Sequence, residues 1–157
     1  MRDISPATPD VEEKIHRSFE RQGFMRTLGA SLFSVASGEV QIEVPVRPQF
    51  SQQHGFTHAG VIVAVTDSAC GYAALSVADP SLEVLTVELK VNLLAPAAGD
   101  VLRAVGRVVR RGRTLTVCQG DAFSRSDDQE KHVATVLATM IATTPLPPRP
   151  PEPGRFA

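Results

Sequence analysis

The chain has 157 residues, 43% of them hydrophobic and 21% charged, with a net charge of −1 at neutral pH. Those values fit one ordinary globular domain and exclude a broad electrostatic hold on nucleic acid or an anionic membrane. No run approaches the roughly 18 to 20 apolar residues of a membrane span. The opening MRDISPATPDVEEK carries acids and prolines where a secretory leader needs an apolar core, so a soluble, cytoplasmic protein is expected. The two cysteines, Cys70 and Cys118, lie in apolar stretches without metal-ligand spacing. They are expected to be buried thiols, with no disulfide and no metal site.

Residues 1 to 9 read as a loose, Pro-containing lead. Asp10 is a plausible N-cap, with Glu13 in capping-box spacing, for an amphipathic helix carrying Val11, Ile15, Phe19 and, at its end, Gln22 on one face and stopped by Gly23. Residues 25 to 36 and 39 to 46 read as strands joined at Ser37-Gly38, the second ending or lying at an edge because of Pro45. A polar loop, RPQFSQQHGFTH, follows, and then AGVIVAVTDSACGYAALSVA, with Asp67 its only charge. Valines permit a strand here, but the length favours a helix. A helix apolar on all sides is one enclosed by other elements. Thr57 is expected to cap it and Asp79-Pro80 to end it. Four strands then follow as a meander, over residues 82 to 94, 101 to 110, 114 to 124 and 132 to 143. Turns fall at Ala95-Pro96, Gly99-Asp100, Arg111-Gly112-Arg113 and Asp127-Asp128. The Pro-rich remainder, residues 145 to 157, is expected to be a solvated, extended tail. The order predicts an α+β domain over residues 10 to 144, a curved sheet wrapped around one long helix.

Two features of the central segment could carry chemistry. The loop Gln52 to His58 leads into the helix start, where the N–H groups of Ala59 and Gly60 lack intrahelical acceptors and meet the positive end of the dipole. That end could hold a developing oxyanion, or the small residues there could simply allow tight packing. Asp67 is the second. A carboxylate in an enclosed apolar helix costs several kcal/mol unless paired or hydrated, and its helix neighbours Val63, Ala64, Cys70 and Gly71 cannot pair with it. Its partner is therefore another strand, a second subunit or cleft water; otherwise the helix has one wet stripe around Thr66 and Ser68. His58 and Asp67 are nine residues apart, roughly 13 Å along the axis, too far to act on one reacting group within a subunit. If they cooperate, a twofold partner brings its own Asp67 to the His58 loop.

The run QQHGFTHAGVIVAVTDSACGYAA resembles the signature of PaaI-type hotdog thioesterases, N/Q-x-H-G-x-x-H-G-G followed by an Asp or Glu nine residues beyond the second His. VLTVELKVNLLAPAAGD resembles the strand after that family's helix. The likeness spans about residues 40 to 143 and implies a hotdog fold that hydrolyses acyl- or aryl-acetyl-CoA thioesters. It implies a homodimer, or a dimer of dimers making a homotetramer, with active sites at the subunit interface and no cofactor beyond the CoA of the substrate. It makes Asp67 the nucleophile or general base, Gln52 a holder of the attacking water or carbonyl, and Ala59, with Gly60 nearby, the oxyanion donor. Thr86 matches the group that orients the water, and His54 and His58 shape the pocket. Arg110, Arg111 and Arg113 could meet the CoA phosphates, or be solvated turn charges. Two departures stand out: Ala59 adds a methyl where the family has glycine, and Gln52 accompanies Asp67 where Gln more often accompanies Glu. The alternative from another class is a module that binds acyl-CoA without turnover.

Overall fold

The computed structural model describes residues 5–127, 129–145 and 147. The expected tail lies almost wholly outside them, as do residues 1–4 and Asp128. In chain order come helices α1 (Pro9–Glu20) and α2 (Gly23–Leu28), strands β1 (Ser31–Ala36) and β2 (Glu39–Pro45), and a short 3₁₀ turn at Pro48–Phe50. Helix α3 (Ala59–Leu75) follows, then β3 (Glu83–Leu93), β4 (Val101–Arg111), β5 (Leu115–Ser126) and β6 (Gln129–Thr143). The strands form one antiparallel sheet in the order β1-β2-β4-β5-β6-β3, which packs around α3 as the sequence predicts.

Several local expectations are corrected. The first helix starts at Pro9 behind Thr8, not at Asp10, and no side chain caps it. Pro9 needs no N–H partner at that position, and Asp10 and Glu12 favour the positive helix end. Residues 5 to 8 of the lead are tied down: Ser37 N–H donates to the Ser5 carbonyl and Pro6 bridges Ala36. The strand expected from Met25 begins only at Ser31, because Met25 and Leu28 are the buried face of α2. Gly29, at φ 67°, closes that helix in the left-handed conformation glycine tolerates. Thr57 does not cap α3; His58 does, its Nδ1 accepting Gly60 N–H at 2.9 Å. The four-strand meander is also wrong. β3 pairs with β6 at the far edge, and only β4, β5 and β6 follow one another. Pro45 ends β2 where β1 no longer pairs with it, so its missing donor costs nothing.

Two facing glycines set the depth of α3. Gly106 on β4 pairs with Gly120 on β5. A Cβ on Gly106 would lie 2.3 Å from the Ala69 backbone, and one on Gly120 would lie 2.5 Å from Thr66 Cγ2. The helix therefore rests directly on the sheet, with Ile62, Val65, Thr66, Ala69, Cys70 and Ala73 buried against it. At 100° per residue the opposite stripe is Val63, Ala64, Asp67, Ser68 and Gly71, and these are only partly buried. The helix is thus enclosed on one side, not on all.

Cys70 and Cys118 are buried free thiols, as expected, and burial pushes Cys118 up to about 12. His132 is more than a surface residue: its Nε2 lies 3.0 Å from Asp121 Oδ1, and its ring stacks on Phe123. His16 is a surface residue beside Glu12.

Candidate active site

Asp67 sits on the open stripe of α3 and faces β3. Its Oδ1 accepts the Thr86 hydroxyl at 2.8 Å, so the partner comes from a strand, one of the possibilities the sequence leaves open. Burial pushes the carboxyl above its ordinary value, and the Thr86 hydrogen bond offsets part of that rise. Met140 Sδ lies 3.3 Å from Thr86 Oγ1 and is a second acceptor for the same hydroxyl.

The head of α3 is built by the preceding loop. Ser51 bridges Thr57, Gln52 N–H donates to the Phe56 carbonyl, and Gly55 turns the chain at φ 84°. The His54 N–H donates to Gln52 Oε1. With its oxygen occupied, the amide of Gln52 presents Nε2, a donor, to whatever lies in front of it. His58 spends its Nδ1 on Gly60 N–H. The Gly60 N–H, the neighbour of the expected oxyanion donor, therefore has an acceptor within the chain. The N–H of Ala59 has no acceptor among the described residues, which leaves it as the donor aimed outward at the positive helix end. Among the described residues the imidazole of His54 has no hydrogen-bond partner, and the Thr57 hydroxyl is buried without one.

These groups fall into two hollows. One of about 190 Å³ holds Asp67 and Thr86; the other, about 380 Å³ and more apolar, holds Gln52 and Ala59. None of the hollows described is lined by both sets. The structure brings Asp67 to Thr86 and Gln52 to Ala59, and it keeps the two pairs apart, as the spacing of His58 and Asp67 requires. Arg111 and Arg113 line a third hollow of about 210 Å³ beyond the end of α3, beside Asp79 and Thr116, and Arg110 takes no part in it. No three His, Cys, Asp or Glu side chains among the described residues gather in a way that could hold a metal ion.

Sequence reasoning missed the wall opposite Asp67. Ser18 and Gln22, from the segment running from α1 into α2, close the Asp67 hollow together with Ser68, Gly71 and Tyr72 of α3. Gln22 Nε2 donates to Tyr72 Oη at 2.9 Å, and Tyr72 Oη donates to Ser18 Oγ at 3.3 Å. A glycine inside a long apolar helix is a visible signal for Gly71. Nothing in the sequence places Ser18 or Gln22 there.

Comparison with known proteins bears on the family. The family model described as Thioesterase superfamily matches residues 54–131. A thioesterase family protein from Silicibacter pomeroyi is 44% identical, with 86% of this chain and 99% of that chain covered and a TM-score of 0.84. The acyl-coenzyme A thioesterase PaaI of Escherichia coli is 25% identical over 78% of this chain and 84% of its own length. The structure of the E. coli PaaI protein, at 22% identity in that alignment, shares the fold with a TM-score of 0.78 over 87% of this chain and 96% of that chain. With the signature run and the sheet around α3 beside these likenesses, the chain belongs to the thioesterase superfamily and is a thioester hydrolase.

Proposed function

We propose that the chain hydrolyses an acyl- or aryl-acetyl-CoA thioester to the free acid and CoA, at sites shared between two copies, with no cofactor besides the CoA of the substrate. One observation carries this reading. A half-buried carboxylate, the only charge on α3, lines one hollow, while Ala59, whose N–H has no acceptor among the described residues, lines a different one. A thioester carbonyl cannot meet both within one chain, and a twofold partner supplies the missing half.

The edge of the sheet supports the pairing. Among the described residues β3 pairs with no strand but β6, and its Leu85 and Val87 are 47% and 55% exposed. A long apolar edge strand invites a second strand, and the open stripe of α3 beside it needs cover. A homodimer joined there, or a homotetramer of two such dimers, satisfies both. In the dimer, the substrate carbonyl accepts the Ala59 N–H and the Gln52 amide of one copy. Asp67 of the other takes a proton from water as the water oxygen bonds to the carbonyl carbon. Collapse of the tetrahedral adduct breaks the C–S bond, and the CoA thiolate recovers the proton. Direct attack by Asp67, giving an acyl-aspartyl anhydride that water then cleaves, uses the same contacts. Thr86 aims the carboxylate; His54 and His58 shape the loop. Arg111 and Arg113, with Arg110 nearby, meet the CoA phosphates in this reading. The setting is cytoplasmic, and no helix among the described residues is long and apolar enough to cross a membrane.

The test is thiol release from a panel of acyl-CoA thioesters by the wild type beside Asp67→Asn. Turnover is expected from the first and not from the second. Undiminished turnover in a folded Asp67→Asn dimer refutes the assignment.

A further inference from the structure

Among the described residues Thr86 is the one hydrogen-bond partner of the Asp67 carboxyl. A base exists in two forms, and they ask opposite things of that partner. The carboxylate only accepts, whereas the carboxylic acid formed when Asp67 takes a proton has a hydrogen of its own to place. Thr86 can accept it, but its own hydrogen must then turn away. A hydroxyl hydrogen left without an acceptor in a half-buried site is costly. Met140 Sδ is the second acceptor, 3.3 Å from Thr86 Oγ1 against 2.8 Å for Asp67 Oδ1. Thr86 and Met140 are register partners on β3 and β6. Met140 is 1% exposed and packs with Cys70, Ala74 and Cys118, so its sulfur is held within reach of the hydroxyl.

We propose that Met140 is a positioning residue for Asp67: its sulfur takes the Thr86 hydrogen whenever Asp67 is protonated, so that one hydroxyl donates to the carboxylate and accepts from the acid. Water gives its proton to Asp67, the Asp67 O–H then donates to Thr86 Oγ1, and the Thr86 O–H rotates from Asp67 Oδ1 to Met140 Sδ. No bond to sulfur forms, and the hydroxyl turns back when the proton leaves with the thiolate. The sulfur therefore favours the acid form, in the same direction as burial. The other titratable groups around Asp67 are Tyr72 of α3 and Glu83 of β3, which line the same hollow, and Lys14 of α1, 3.6 Å from Glu83. Behind them lie the buried thiols Cys70 and Cys118, and in the paired reading His54 and His58 of the facing copy join them. Among the described residues none of these hydrogen-bonds to Thr86. This inference rests on the reading of Asp67 as the base, so its test separates the two.

Met140→Leu conserves volume and removes the acceptor. Norleucine in place of methionine, which exchanges only the sulfur for a methylene, is the gentler second probe. The Asp67 carboxyl is titrated by carbon NMR, assigned against Asp67→Asn, in the wild type, Met140→Leu, Thr86→Val and the double variant. The pH profile of kcat/KM for thiol release is measured on the same proteins with the panel of acyl-CoA thioesters. In Met140→Leu and in the norleucine protein, the titration and the acidic limb are expected to move to lower pH by about half a pH unit. That is opposite to the movement expected of Thr86→Val, and Met140→Leu is expected to move nothing once residue 86 is valine. An unmoved titration in Met140→Leu shows that water takes the Thr86 hydrogen, and overturns the proposal while thiol release leaves hydrolysis standing. A movement that persists in the Thr86→Val background reports loosened packing and overturns it too. The expected titrations without thiol release from any thioester uphold the role of Met140 and refute hydrolysis.

Discussion

Replacing Gly71 by alanine separates a glycine kept for folding from one kept for an open pocket. The residue is mid-helix, has ordinary helical backbone, and would put its new methyl into space with no neighbour within 4 Å. No overpacking cost offsets the gain in helix propensity, so Gly71→Ala is expected to stabilise the fold by about 0.8–1.0 kcal/mol. For a chain of 157 residues, that corresponds to a rise in Tm of roughly 2–4 °C. The chain has no tryptophan and one tyrosine, so far-UV circular dichroism or calorimetry is the suitable readout. Both proteins are melted at one concentration, since association contributes to apparent stability. A fall in Tm would show that a second copy packs closely on Gly71, and would refute the reasoning that an added methyl meets only open space.

Three further variants test the site. Asp67→Asn keeps an acceptor for Thr86 but no base, and is expected to cost about 10²–10⁴ in kcat. Burial raises the folded-state value of Asp67, so the charged form opposes folding: the penalty is absent below the unfolded carboxylate's range and grows as pH rises through it toward the folded value. Asp67→Asn should therefore melt higher than wild type at pH 7, by a margin that shrinks toward pH 4; a constant margin would refute the assignment of that penalty. Thr86→Val removes the hydrogen bond that holds the Asp67 carboxyl down, so the acidic limb of its kcat/KM profile should move to higher pH, and an unmoved limb would show that Asp67 is not the titrating base. His58→Ala takes away the cap on Gly60 and should lower stability by about 1 kcal/mol, read as a lower Tm; an unchanged Tm would mean that water replaces the imidazole.

Much of this protein follows from local chemistry along the chain. The apolar run after His58 with one carboxylate in it is legible as the central helix because its length exceeds any ordinary strand. Alternation and turn residues mark β4, β5 and β6. The distance between His58 and Asp67 already separates the site into two halves, since helix rise is the same in every protein. Gly29 could have been recognised as a left-handed stop, but the residues around it also suit a strand. Asp67's link to Thr86 is expected only from the family likeness, because the two are 19 positions apart with a reversal of direction between them.

What residue order could not decide is which surfaces meet. β3 could equally have joined β4 as a hairpin; it lies beside β6 because the strands curve around α3 and leave that edge for it. Contacts such as Gln22 to Tyr72 span 50 residues, and no periodicity encodes them. The open stripe of α3 exists because Gly106 and Gly120 let one face of the helix sink onto the sheet, turning Asp67 and Gly71 outward. Hydrophobic pattern and helix rise are local properties, readable from neighbours in the chain. The shape of the pocket is a sum of distant approaches, each allowed by a missing side chain, and exists only once the chain has packed.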